Sequence, residues 1–199
     1  MPDTDESRIL TVPNAITLVR LACLPLYLYV LLGLDDRVGA ALLLAALGAT
    51  DWLDGYVARR FHQVSNVGKV LDPVADRLLF LVGVGAIIVV DGAPLWFCWV
   101  VIAREVFVSV AALVLAMLGA ARIDVTWVGK AGTFGLMCAF PLFLAGSSTI
   151  SSAPILEALA WMCGVPGLLL AYFAAVAYVP IGLRSLREGR AGRAAMTSP

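Results

Sequence analysis

An all-α integral membrane protein of six transmembrane helices, with both termini in the cytoplasm, is the fold class the sequence predicts. Three observations carry it. Hydrophobic residues make up 61% of the 199 and charged residues only 14%, with a mean hydropathy of +0.94, well outside the usage of soluble domains. Six apolar stretches recur along the chain, each near the ~20 residues that a bilayer core requires. The formal net charge is zero, yet the basic residues fall in alternate connections, as the positive-inside rule demands.

Residues 1–12 form a polar tail with Asp3, Asp5, Glu6 and Arg8. They lack the basic start and small-residue cleavage site of a signal peptide, so no removal is expected. The expected spans are residues 14–34, 38–60, 68–90, 95–119, 127–146 and 154–183, within a transmembrane body of 13–187 and ahead of a basic tail at 188–199. Pro13 before an apolar run is a helix start signal, and Asn14 is the expected N-cap. Asn14, Thr17 and Arg20 follow at three-residue steps and share a face. A polar link, residues 62–66 with His62 as a solvated loop residue, joins the second and third spans. Arg104 and Glu105 interrupt the fourth. An unpaired arginine there is costly, so Arg104 either faces a polar cavity, meeting an aspartate or a ligand phosphate, or forms an internal salt bridge holding helices in register. Lys130 opens the fifth span beside Thr133, as a phosphate contact or a snorkelling anchor. Pro154, Pro166, Gly167 and Pro180 are expected to break the sixth, as kinks beside a cavity or as packing devices.

Orientation follows from charge. With the N-terminus inside, the cytoplasmic segments hold Arg8, Arg20, Arg59, Arg60, Lys69, Arg122, Lys130, Arg184, Arg187, Arg190 and Arg193. The opposite loops hold Asp35, Asp36, Arg37 and Asp91, and residues 147–152 carry no charge. The four arginines after residue 183 either dock on anionic lipid or serve as a solvated topology anchor. Cys23, Cys98, Cys138 and Cys163 lie in apolar runs at unrelated spacings, which argues against disulfides or thiolate metal sites. No phosphate-binding glycine loop, dinucleotide fingerprint or basic, aromatic-interleaved patch for nucleic acid is present.

Four carboxylates dominate the functional reading. Asp51 and Asp54 are three apart and Asp72 and Asp76 four apart, so each pair shares a helix face, and the short link lets two antiparallel helices bring all four together. At about 5 Å and an effective dielectric near 20, each like-charge pair costs on the order of 3 kcal/mol, so cations sit there or protons remain. An all-oxygen donor set suits Mg²⁺ or Mn²⁺, with Ca²⁺ as competitor. Two such ions can clamp a diphosphate and activate an attacking oxygen. Gly55 and Gly68 leave room for a ligand near the backbone, and Arg59 offers a fork of donors to phosphate. A carboxylate cage pinning two helices, or a cation-transport site, accounts for the acids but not for these glycines and the arginine.

The pattern D-x2-D-G-x2-A-R-x8-G-x3-D-x3-D is met by Asp51, Asp54, Gly55, Ala58, Arg59, Gly68, Asp72 and Asp76. In this the chain resembles the CDP-alcohol phosphatidyltransferases. The resemblance implies the CDP-alcohol phosphotransferase fold, metal ligation by Asp51, Asp54 and Asp72, and completion of the site by Asp76 as general base. It also implies contact of Asp54, Gly55, Arg59 and Gly68 with the CDP part of the donor. The opening PN-x2-T-x2-R resembles the family's amino-terminal segment and adds Asn14 and Thr17 to the nucleotide contacts, capping and topology being the other account of them. A homodimer in the bacterial inner membrane, its active site facing the cytoplasm, is the implied assembly.

The acceptor is read from two further segments. IARE at Arg104 and VGK at Lys130 resemble relatives that use glycerol 3-phosphate, and they make Arg104 and Lys130 the acceptor-binding candidates. Such relatives carry one more basic residue after each segment, where this chain has Val106 to Ala112 and Ala131 to Thr133. A small dianion needs that charge more than a phosphodiester lipid does. The runs RILTVPN and VGKAGTFGLMCAFPLFLAG resemble bacterial cardiolipin synthases of the CDP-alcohol type. The expected reaction is phosphatidyl transfer from CDP-diacylglycerol to phosphatidylglycerol, giving cardiolipin and CMP, with glycerol 3-phosphate as the alternative acceptor.

Overall fold

The structure is a computed structural model that describes residues 12–61, 68–118 and 126–197, with side chains described at 17–50, 75–115, 117–118 and 126–178. The amino-terminal tail, the link containing His62 and the segment with Arg122 lie outside it. Among the described residues the chain is helical, without strands. In order, the helices are α1 (Val12–Leu28), α2 (Arg37–Phe61), α3 (Gly68–Val89), α4 (Leu95–Met117), α5 (Trp127–Gly146) and α6 (Ala153–Thr197). Residues Leu95–Leu115, Trp127–Gly146 and Ala153–Tyr178 are long and apolar enough to cross a membrane. The apolar runs of α1 and α2 among the described residues are shorter, Thr17–Gly33 and Arg37–Thr50.

Two boundary expectations are corrected. Asn14 lies within helix α1, Val12–Leu28, and is therefore not its N-cap. The sixth span is unbroken from Ala153 to Thr197. Gly167 serves close packing instead of a break: a Cβ there would lie 3.0 Å from the backbone carbon of Gly135.

The chain divides into two compact units, residues 1–94 with 140–160, and residues 95–139 with 161–199. In the first, α1 buries Leu24 and Tyr27, and the turn that follows it buries Leu31, a stripe at i, i+3 and i+7. Its end widens into a π-helical turn, Tyr29–Gly33, where a Cβ on Gly33 would press to 3.0 Å from the Tyr29 ring. Asp36 caps α2 by accepting the Gly39 N–H at 2.8 Å, which satisfies one of the helix's orphan donors. Arg37 donates to the Ser147 carbonyl at 3.1 Å and its hydroxyl at 3.0 Å, tying the start of α2 to the end of α5.

The second unit is built on small residues. A Cβ on Gly132 would meet the Ala171 nitrogen at 2.6 Å, and one on Gly135 the Gly167 Cα at 3.0 Å, so α5 and α6 touch backbone to backbone. Small residues permit this approach, and packing and polar contacts then replace the hydrophobic drive that lipid does not supply. The Tyr178 hydroxyl accepts the Thr126 N–H at 2.7 Å at the start of α5, and Tyr172 donates to the Val100 carbonyl at 3.0 Å. Trp96 stacks on Trp161 with ring centroids 5.8 Å apart. All four cysteines are free, as their spacing predicts.

Candidate active site

The first unit positions the acidic motif through three helices. Arg20 of α1 donates from Nη1 to Asp76 Oδ1 of α3 at 2.9 Å, and the Tyr27 hydroxyl donates to the Gly83 carbonyl at 3.2 Å. Each partner lies seven residues beyond its counterpart. Seven residues advance a helix by about 10.5 Å and return to within about 20° of the same face, so α1 and α3 run parallel with these contacts on one seam.

Helix α2 enters through Leu44, which packs where a Cβ on Gly83 would stand, 3.4 Å away. From that contact a parallel α2–α3 pair would hold Phe61 and Gly68 about 48 Å apart, beyond the ~25 Å reach of the six residues between them. The two helices are therefore antiparallel. Asp51 is seven residues after Leu44 and Asp76 seven before Gly83. Both positions thus fall about 10 Å along from the contact, level with each other. Positions 54 and 72 follow one turn further in the same direction.

Of the predicted site residues in this unit, side chains are described for Thr17 and Asp76. Thr17 is 2% exposed, inside the helix packing, whereas the Asp76 side chain is 48% exposed. Asn14, Asp51, Asp54, Gly55, Arg59, Gly68 and Asp72 have helical backbones, and their side chains lie outside the described ones. In the second unit, Arg104 is 7% exposed and donates to Glu105 Oε2 at 2.6 Å. That pair lies within one turn of α4 and does not itself tie one helix to another. Lys130 is exposed on the first turn of α5, and the Thr133 hydroxyl donates to the Gly129 carbonyl at 3.0 Å.

The sequence reading missed Arg20 as a partner of the acidic site. Its signal was present: an arginine one turn after Thr17 on an otherwise apolar helix, which charge counting had absorbed as a topology marker.

The family model described as CDP-alcohol phosphatidyltransferase matches residues 10–166, spanning α1 to the first third of α6. The chain belongs to the CDP-alcohol phosphatidyltransferase family. It is 39% identical over 177 residues to a cardiolipin synthase (CMP-forming) of Streptomyces coelicolor, covering 86% of this chain and 82% of the relative. It is 34% identical over 178 residues to a putative cardiolipin synthase of Mycobacterium tuberculosis, covering 89% and 85%. A CDP-diacylglycerol–glycerol-3-phosphate 3-phosphatidyltransferase of Bacillus subtilis is 34% identical over 146 residues, covering 66% of this chain and 75% of the relative. This phosphatidyltransferase is accordingly an enzyme, and its apolar helices make it a membrane protein.

Proposed function

We propose that this enzyme transfers the phosphatidyl group of CDP-diacylglycerol to a hydroxyl of phosphatidylglycerol, giving cardiolipin and CMP. The observation that carries the acceptor is the extent of likeness. Identity with cardiolipin-forming relatives runs over 86–89% of the chain, against 66–68% for relatives named for glycerol 3-phosphate. The absent cations after Arg104 and Lys130 point the same way.

The chemistry needs three things of this chain. Asp51, Asp54, Asp72 and Asp76 would hold two divalent cations, Mg²⁺ or Mn²⁺; an all-carboxylate set at neighbouring helical positions fits hard cations. Bound there, the ions would neutralise the pyrophosphate and the departing CMP. Gly55, Gly68 and Arg59, with Asn14 and Thr17, receive the nucleotide. Asp76, half exposed, takes the proton of the acceptor hydroxyl while its oxygen bonds to the phosphatidyl phosphorus. The bond from that phosphorus to the bridging oxygen breaks, and CMP leaves with the electron pair. Lys130 is exposed and Arg104 is engaged by Glu105, so the acceptor phosphate is assigned first to Lys130, with Arg104 in support.

Six spans, cytoplasmic termini and a homodimer in the bacterial inner membrane complete the proposal, supported by the charge distribution and the family. The site then opens to the inner leaflet, where both lipid substrates present their headgroups. The test is thin-layer chromatography of products from CDP-diacylglycerol offered phosphatidylglycerol and glycerol 3-phosphate side by side. Cardiolipin is the expected product; predominance of phosphatidylglycerophosphate would transfer the enzyme to the glycerol 3-phosphate branch. Absence of CMP release with every alcohol would defeat the reading altogether.

A further inference from the structure

We propose that Arg20 is a positioning residue of the transfer reaction: reaching from α1, its buried guanidinium fixes the orientation in which Asp76 of α3 meets the acceptor hydroxyl. The inference rests on the reading of Asp76 as general base and adds a residue outside the acidic motif.

The asymmetry of the pair carries it. Arg20 is 3% exposed while the Asp76 side chain is 48% exposed, and they meet at 2.9 Å. A topology anchor would snorkel its charge to the interface; this one keeps it inside the helix packing. Burying a guanidinium is costly unless it is well bonded, and here it is spent supporting a carboxylate whose other side reaches the surface. Nor is Arg20 needed merely to dock the helices. The α1–α3 register is also held by the Tyr27 to Gly83 bond at 3.2 Å and by buried Leu24 of α1 and Leu31 of the turn that follows it. The Nη1–H bond at 2.9 Å comes from a rigid planar group, so it fixes where the Asp76 oxygen sits, which the freely rotating ammonium of lysine does less well.

The experiment uses the full-length enzyme in phosphatidylglycerol vesicles with CDP-diacylglycerol and Mg²⁺, reading kcat and donor KM from CMP release and folding from thermal unfolding. Arg20→Gln is expected to lower kcat by about 100-fold, the usual cost of a misplaced reacting group, with donor KM within about twofold of wild type. Arg20→Lys should recover roughly tenfold of that loss, as it keeps charge without the fork. Tyr27→Phe, which loosens the same helix pair, should lower the unfolding temperature and leave kcat in place. An unchanged kcat in Arg20→Gln overturns the proposal. So does a loss confined to KM, which would make Arg20 a donor contact, or a matching kcat loss in Tyr27→Phe, which would make its role structural. Should Arg20→Gln fail to fold, Arg20→Lys decides the matter by the same split, a fall in kcat alone supporting and wild-type kinetics refuting. A wild-type enzyme that releases no CMP overturns the reaction and this inference together; an active wild type with indifferent Arg20 variants overturns only the inference.

Discussion

Gly132→Ala tests the backbone contact between α5 and α6 that supports the Lys130 turn. A Cβ at 132 would stand 2.6 Å from the Ala171 nitrogen, 2.9 Å from its Cα and 3.0 Å from the Gly167 carbonyl oxygen. All three are backbone atoms, so no side chain can rotate away. Reaching ordinary contact near 3.5 Å requires the helices to part by roughly 0.9 Å, and overpacking of this kind costs about 1–3 kcal/mol. Alanine returns up to about 1 kcal/mol through its better helix propensity, which leaves a net loss of about 1–2 kcal/mol. For a chain of this size that lowers the unfolding temperature by roughly 2–8 °C. Gly85→Ala is the control, because nothing lies within 4 Å of its Cβ position; there propensity acts alone, and the variant should melt at or slightly above wild type. Thermal unfolding of both variants in one detergent decides it. If Gly132→Ala melts as high as Gly85→Ala, α5 and α6 are not in backbone contact and the packing argument fails.

Asp76→Asn should reduce CMP release by about 10²–10⁴-fold, the usual worth of a positioned general base; activity within a few-fold of wild type would remove Asp76 from the chemistry. Chelation of divalent ions should abolish turnover, with Mg²⁺ or Mn²⁺ restoring it, as the carboxylate donor set requires; turnover that persists in chelator would refute the metal-holding role of Asp51, Asp54, Asp72 and Asp76. Tyr27→Phe removes a buried hydroxyl that gives the Gly83 carbonyl a second donor beside its helical one, a net loss of about 0.5–1.5 kcal/mol, read as a lower unfolding temperature; an unchanged melt would show that the Tyr27 bond contributes nothing to the α1–α3 seam.

The helices were legible because lipid imposes one pattern, apolar runs of fixed length, and the six stretches announce it. Boundaries were less so. Proline and glycine in residues 154–183 read as breaks, since a local rule cannot see a neighbour. In the fold Gly167 is what lets α6 approach Gly135, and the spacing of Gly129, Gly132 and Gly135 carries the clue. The acids stand out in the sequence because charge inside an apolar helix is expensive and marks a functional candidate. Arg20 was misjudged because its partner is 56 residues away, and pairing across that distance is decided by packing. Arg104 shows the converse. Its bond at 2.6 Å goes to the adjacent Glu105, a pair within one helix that the sequence itself places side by side.

The motif's spacing acquires its meaning from the frame around it. Two acids three apart and two acids four apart define faces, but they say nothing about whether those faces meet. The Leu44 contact at Gly83 supplies the missing relation, since equal counts of seven residues along antiparallel helices bring positions 51 and 76 level. The Tyr27 bond to that same Gly83 and the Arg20 bond to Asp76 then fix α1 in step with α3. One glycine thus serves two helices, accepting a hydrogen bond from α1 and leaving space for a leucine of α2. A side chain bulkier than alanine at 83 would crowd Leu44, whose Cδ1 already stands 3.4 Å from the Cβ position, and so press on the helix that carries Asp51 and Asp54. Activity in this enzyme is therefore expected to be sensitive two turns above the acids, at a residue that carries no chemistry of its own.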